Sequence, residues 1–233
     1  MLVSVIIPAL NEAGNIARTI RAARRQYSLD EVEIVVADGG STDGTPDLVP
    51  PAPEARLIRS PRGRAVQMNR GARASGGETL VFCHADSLLP EGWREAAIAA
   101  LDRPETSGGF FQTLMLPEKG ILRLINRVKF PADWRIMFGD SAQFMPRRIY
   151  EEVDGFPDIP LMEDVEMARR LHSSGRIVRV PLRVTTSSRR FLENGPLRQW
   201  LLSFRCMIRY LYLGATPEEI ARVYRSSRER DLE

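Results

Sequence analysis

Lysine is almost absent from this chain: Lys119 and Lys129 are the only lysines among 33 basic residues, and the rest are arginines. A GC-rich coding sequence accounts for such a bias on base rates. Planar, bidentate donors suited to phosphate are a second reading of it. Cysteine is equally sparse. Cys83 and Cys206 lie far apart, each in an apolar stretch, which excludes a disulfide framework and fits buried thiols of a reducing compartment. No apolar run reaches the roughly 18 residues of a membrane span. The opening residues lack a basic segment and a small-residue cleavage site, so the expectation is a cytoplasmic protein. Charge of one sign does not dominate either: the formal net charge is +3 and the pI about 9.1, too mild for a dedicated nucleic-acid binder. Repeats and low-complexity linkers are missing; residues 50–53 (Pro-Pro-Ala-Pro) read as a rigid loop. The 233 residues suffice for one large domain with a full core and no covalent staples.

What is present is alternation. Residues 2–8 form a short apolar run rich in β-branched side chains, as expected of a buried parallel strand. Asn11 is placed to cap a helix over about 12–25. A second buried strand covers 32–37, and a tight turn, 38–44, leads into a short helix. A weaker strand at 56–59, a helix at 64–74, a buried strand at 79–83 and a helix at 90–101 follow. This order predicts an α/β fold: a mostly parallel, Rossmann-like sheet with helices on both faces. The second half is less regular. Strand patterns fall at 108–116, 141–145, 177–180 and 183–186, and helical patterns at 121–130, 162–173, 196–213 and 217–224.

Ligands bind such sheets at the carboxyl ends of the strands, and polar clusters follow strands one, two and four there. Asp38 stands before Gly39 and Gly40. Its carboxylate can accept a hydrogen bond from a base or ribose, with the glycines admitting a ligand to the backbone; a plain Asx turn is the competing reading. His84-Ala85-Asp86 closes a buried strand. Both polar side chains, one residue apart, are expected to point to the same side of the extended chain. Asp86 then suits a divalent cation; His84 is the softer ligand. Arg62-Gly63-Arg64 precedes a helix and can cradle phosphate, or be a solvated basic loop. Glu163-Asp164 opens a helix, either as ordinary dipole charge or with a catalytic base. Arg189-Arg190 can close over a diphosphate, or belong to a surface loop. His172 reads as a helix-end cation.

Residues 3–12 (Val-Ser-Val-Ile-Ile-Pro-Ala-Leu-Asn-Glu), 38–45, His84-Ala85-Asp86 and Glu163-Asp164, in that order and spacing, resemble the family 2 glycosyltransferases of the GT-A fold. The runs 155–164 and 185–191 are similar to the small bacterial transferases named for arsenosugar biosynthesis. The resemblance implies a nucleotide-sugar donor, uridine-linked at family level, and an inverting transfer to the hydroxyl of a small-molecule or lipid-linked acceptor. It implies Pro8, Leu10, Glu12, Asp38 and Gly39 around the nucleoside, and Arg62, Gly63, Arg64, Arg189 and Arg190 near the diphosphate. Asp86, with His84, would hold Mg²⁺ or Mn²⁺. Asp164 would be the base, with Asp140 and Glu163 toward the acceptor. One domain is implied, with a donor half (1–103), an acceptor half (104–195) and C-terminal helices (196–233). His84 departs from the family, which usually carries a carboxylate there. The Gln-x-x-Arg-Trp motif of processive members is absent, so a single transfer is implied.

A nucleotidyltransferase would open with a Gly-rich, Arg-containing loop after strand one, and a dinucleotide-binding oxidoreductase with Gly-x-Gly-x-x-Gly; neither is present. A non-catalytic nucleotide-sugar-binding module stays open. The helix from 196 is basic and amphipathic. Packing on its own core is the common outcome; a membrane surface or a second subunit is the alternative.

Overall fold

In the computed structural model, which describes residues 1–127, 135 and 139–229, the polypeptide begins with β1 (Val3–Ala9) at the centre of the sheet. Its odd-numbered side chains pack under α1 (Ile16–Arg24) and, further on, α3 (Trp93–Leu101); Ile6 packs on the opposite face, beneath α2 (Arg64–Ala74). This is the period of two expected of a strand buried on both sides. Gly71 of α2 lies so close to β1 that a Cβ there would come within 2.5 Å of Ile6 Cγ2.

β2 (Val32–Asp38) and β3 (Arg56–Arg59) extend the sheet on one side of β1, and β4 (Thr79–Phe82) pairs on the other, all parallel. Beyond β4 come β7 (Gln143–Pro146), β6 (Thr106–Leu116), β8 (Arg176–Ser187) and the two-residue β5 (Ser87–Leu88). Among the described residues only β5 and β7 run against the rest, so the sheet is mixed but mostly parallel. α5 (Arg147–Glu152) and α6 (Glu163–Ser174) share the face of α2. α4 (Leu122–Ile125) is a single turn, and α7 (Arg189–Glu193), α8 (Pro196–Tyr212) and α9 (Pro217–Glu229) close the chain.

Several expectations are corrected. Asn11 does not cap the first helix. It adopts a left-handed backbone (φ 55°) and the helix starts at Ile16. The strands expected at 177–180 and 183–186 are one strand, because a register shift opposite Phe111 and Gln112 absorbs Pro181 and Leu182. Arg189 and Arg190 begin a short helix and not a loop. The helix expected over 121–130 is reduced to α4, with 128–130 outside the described residues. Cys83 and Cys206 are buried free thiols, as expected.

Candidate active site at the carboxyl edge of the sheet

The winding of the chain reverses between β1 and β4: β2 and β3 are laid down on one side, and β4 on the other. Crevices outside the strand ends at such a reversal are where open α/β sheets bind ligands. The two strands part early, after Cys83 N–H donates to the Ile6 carbonyl (3.0 Å). Even-numbered residues of β1 turn their backbone groups toward β4, as Leu2 and Ile6 do. Pro8, with no N–H, therefore sits where β1 has lost that partner, and no orphan donor is left in the crevice.

On the β2 side the ladder runs to Ala9 and Asp38, and Gly39 N–H donates to the Ala9 carbonyl at 2.9 Å. Asp38 is 2% exposed and accepts from Gly40 N–H (3.1 Å) and Ser41 N–H (3.2 Å). The Asx turn is thus formed, and it holds the carboxylate at the strand end. Gln67, which the sequence reading passed over, reaches from α2 and donates Nε2–H to both the Ala9 (2.7 Å) and Ala37 (2.9 Å) carbonyls. A Cβ at Gly39 would stand 3.0 Å from the Gln67 amide, so glycine there makes room for this clasp. A polar residue on the otherwise apolar inner face of α2 was the available signal. Leu10 is half-buried beyond the strand. The loop after it is stitched to the turn following β2: Asn11 and Glu12 N–H donate to the hydroxyls of Ser41 (2.9 Å) and Thr45 (2.8 Å), and Thr42 N–H donates to Asn11 Oδ1 (2.9 Å).

Glu12 is half-buried, and its carboxyl is pushed above the ordinary range first by burial and also by Asp86. The Asn15 amide (2.7 Å) and Arg189, whose Nη2 lies 3.6 Å away, work against that rise. His84 and Asp86 do not lie on an extended chain. Ser87 N–H donates to the His84 carbonyl (3.0 Å), closing a turn, so the expectation of a shared side from strand geometry is corrected. The His84 ring enters a small pocket lined by Met68, Phe82, Phe156, Glu163 and Asp164. Its Nε2 is buried with no hydrogen-bond partner among the described residues. Burial, then the charges of Arg64 and Arg190, hold the ring neutral down to about 3. A Cβ at Gly139 would lie 2.7 Å from His84 Nε2 and 3.3 Å from Asp164 Oδ2, so both groups converge on that glycine.

Asp164 stands in the first turn of α6, with Oδ2 accepting from Gly139 N–H (2.7 Å) and Oδ1 from Val165 N–H (2.8 Å). Burial, then neighbouring Glu163, raises its pKa, opposed by Arg64. Asp140 is pushed up to about 6 by burial first and then by Asp164 and Asp86. Glu163, 2% exposed, is ion-paired with Arg64 Nε. Its carboxylate thus braces the start of α6 against α2. Gly63 (φ 143°) leads into α2, and Arg62 is exposed before it. Arg190 Nη1 donates to Tyr224 Oη of α9 (3.3 Å). A second cleft, of about 460 Å³ between Met1, Glu78, Leu101 and Arg147, lies at the amino ends of β1 and β4, away from these groups.

Asp140 therefore feels both Asp86 and Asp164 across this edge, with the charges of Arg64 and Arg190 opposing them. Carboxylate oxygens are what a divalent cation on a diphosphate accepts, and two carboxylates add to the burial that pushes Asp140 up. The described residues hold no cluster of three protein ligands. Asp86 and Asp140 offer such oxygens, so the donor set present fits a divalent cation.

A family model described as Glycosyl transferase family 2 matches residues 4–136, more than half of the chain. The chain belongs to that family. The matched stretch carries Pro8, Asp38, His84 and Asp86 and stops short of Asp140 and Asp164. Within the family the chain is 27% identical over 201 residues to the probable glycosyltransferase YdaM of Bacillus subtilis (strain 168), covering 76% of this chain and 48% of that protein. It is 36% identical over 103 residues to a PGL/p-HBAD biosynthesis glycosyltransferase of Mycobacterium bovis (strain BCG / Pasteur 1173P2), covering 42% of this chain and 40% of the other. The chain thus spans about half or less of the length of these curated relatives. Its fold matches that of S. aureus TarS 1-349 solved with UDP-GlcNAc: TM-score 0.66 at 18% identity, over 80% of this chain and 58% of that one. It also matches the mannosyltransferase PcManGT of Pyrobaculum calidifontis solved with GDP-Man and Mn²⁺, with TM-score 0.63 at 20% identity over 97% and 73% of the two chains. The architecture is that of the GT-A glycosyltransferases.

Proposed function

We propose that this chain transfers a single sugar from a nucleotide-diphosphate sugar, uridine-linked, to an acceptor hydroxyl with inversion at the anomeric carbon. Pro8, Leu10, Glu12, Asp38 and Gly39 line the nucleoside side of the crevice. Arg62, Gly63, Arg64, Arg189 and Arg190 serve the diphosphate. Asp86 holds Mg²⁺ or Mn²⁺, with His84 beside it; such an ion, when bound, neutralises the charge that develops on the leaving diphosphate. Asp164 takes the acceptor proton. Asp140 faces the acceptor side, and Glu163 supports it through Arg64.

The observation that carries this reading is the Asp164 carboxylate: half-buried, oriented by two backbone N–H groups and raised in pKa, it is a firmer base than an exposed aspartate. The acceptor is proposed to be a small molecule or a lipid-linked group. The closer kinship to the arsenosugar-type transferases rests on residues 155–164 and 185–191 alone.

The test is a panel of UDP- and GDP-linked sugars with Mn²⁺, read by nucleotide release and by NMR of the product anomer. An inverted product, with Asp164→Asn retaining donor affinity but losing at least about a hundredfold in turnover, supports the proposal. A retained anomer, or near-normal turnover of the variant, overturns the role of Asp164. Binding without any turnover favours a nucleotide-sugar-binding module.

A further inference from the structure

α8 is amphipathic but faces the wrong way for a core helix. At 100° per residue, Leu197, Leu201, Phe204, Ile208 and Tyr212 fall within an arc of about 80°. Most of that arc is turned to solvent: Leu197 is 52% exposed, Leu201 45%, Phe204 42% and Tyr212 63%, with Ile208 half-buried between them. Gln199 and Cys206, on the opposite side, are the buried residues of the helix. Gln199 spends its amide on Asn194 (2.7 Å), Ser203 (3.2 Å) and Tyr224 (3.2 Å). Trp200 stacks flat on Phe204, ring centroids 5.5 Å apart, at the edge of the exposed arc. Contiguous apolar surface left outward while a glutamine is buried marks an interaction face.

Charge identifies what covers it. Arg198, Arg205 and Arg209 flank the apolar arc on one side, and residues 194–217 contain no aspartate or glutamate. A second copy docked on this face would bring arginine flanks together with no acid on the helix to answer them. An anionic bilayer answers them and takes the apolar arc as well. Among the described residues no helix is long and apolar enough to cross a membrane, so the helix would lie in the interface plane.

We infer that α8 docks the protein on anionic lipid through Leu197, Leu201, Phe204 and Tyr212, with Arg205 and Arg209 at the headgroups. The side of α8 opposite the docked face is linked to the candidate site. Gln199 bonds Tyr224, Tyr224 accepts from Arg190, and the charge of Arg190 is felt by Asp140 and His84. Docking thus holds the candidate site close to the bilayer surface, where an acceptor hydroxyl can be carried. Such use of the surface rests on the proposed transfer reaction; the docking itself does not.

Flotation of the purified protein separates the outcomes. The protein is expected to rise with vesicles of phosphatidylcholine and phosphatidylglycerol, and to stay behind with phosphatidylcholine alone or in high salt. Leu201→Asp with Phe204→Asp should abolish flotation, as should the milder Leu201→Ser with Phe204→Ser. Melting temperature should be preserved, because both positions are exposed. Arg205→Gln with Arg209→Gln should weaken vesicle binding on the order of tenfold or more. Failure of the wild type to float on the anionic vesicles overturns the inference, as does flotation untouched by the Leu201 and Phe204 variants. So does a dimer in light scattering that those variants dissociate while no lipid binds. Flotation is read without turnover, so it can succeed or fail independently of the catalytic proposal.

Discussion

Arg64, in the first turn of α2, and Glu163, in the first turn of α6, are 99 residues apart in sequence and form an ion pair in which the glutamate side chain is 2% exposed and the arginine 35%. The pair fixes the start of α6, and with it Asp164, against the helix that also carries Gln67. Arg64 is held protonated mainly by the carboxylates of Glu163 and Asp164, against the cost of its burial. Glu163→Gln should lower stability by about 1–3 kcal/mol, less than for a fully buried pair because Arg64 keeps some solvent. Urea unfolding measures this. A cycle with Arg64→Met should show coupling of at least about 0.5 kcal/mol; additive effects would mean that the two side chains act separately.

Asp86→Ala should remove the metal dependence of nucleotide binding. Titration calorimetry of the wild type with UDP is expected to show weaker binding in EDTA than in Mn²⁺. The variant should bind equally in both and melt as the wild type does, because Asp86 is half-buried in a turn. Equal wild-type affinity in both buffers would remove Asp86 from the metal role.

The clasp between Gln67 and the strand ends predicts that Gly39→Ala and Gln67→Leu act alike. In the first the new Cβ meets the Gln67 amide at 3.0 Å. In the second the Ala37 carbonyl loses its side-chain donor. Each should cost about 1–3 kcal/mol of stability and weaken donor nucleotide binding more than it slows turnover. A KM and kcat comparison reads the difference; an equal fall in kcat would place the effect elsewhere.

The pH dependence of stability without metal is expected to contain two opposing slopes. His84 is neutral in the fold down to about 3, but in the unfolded chain it binds a proton below the ordinary histidine value of 6.5. Between those values the unfolded state holds more protons, so stability falls as pH drops. Asp140 has its folded pKa raised from 3.8 to about 6. Between those values the folded state holds more protons, so its contribution is lost as pH rises. Urea midpoints from pH 4 to 7 in EDTA should show a flatter acid loss for His84→Phe and a steeper one for Asp140→Asn. The same slope in both variants would refute the assignment.

The alternation of strands and helices in the first hundred residues was legible because apolar periodicity is a local property. β1, β2 and β4 came within two residues of their expected bounds for that reason. Asn11 was not legible as a loop residue. Its cap chemistry is real, but Ser41, Thr42 and Thr45 compete for the same loop from across the crevice. β5 and α7 are too short for any periodicity to appear. In α8 the pattern gave the apolar arc and left open its direction, since a hydrophobic stripe looks the same in sequence whether it faces a core or the solvent.

The amino-acid order alone therefore determined strands β1 to β4, the family and the three polar clusters at the carboxyl edge, because each depends on residues within a few positions of one another. Tertiary structure decided the rest. It placed β7 antiparallel beside β4 and brought Gly139 and Asp164 to His84. It set the Gln67 clasp, paired Glu163 with Arg64 and turned the apolar arc of α8 outward. Each of these joins segments distant in sequence or sets which face of a helix meets the core. Such choices are made by which surfaces can pack together, a quantity that no local pattern contains.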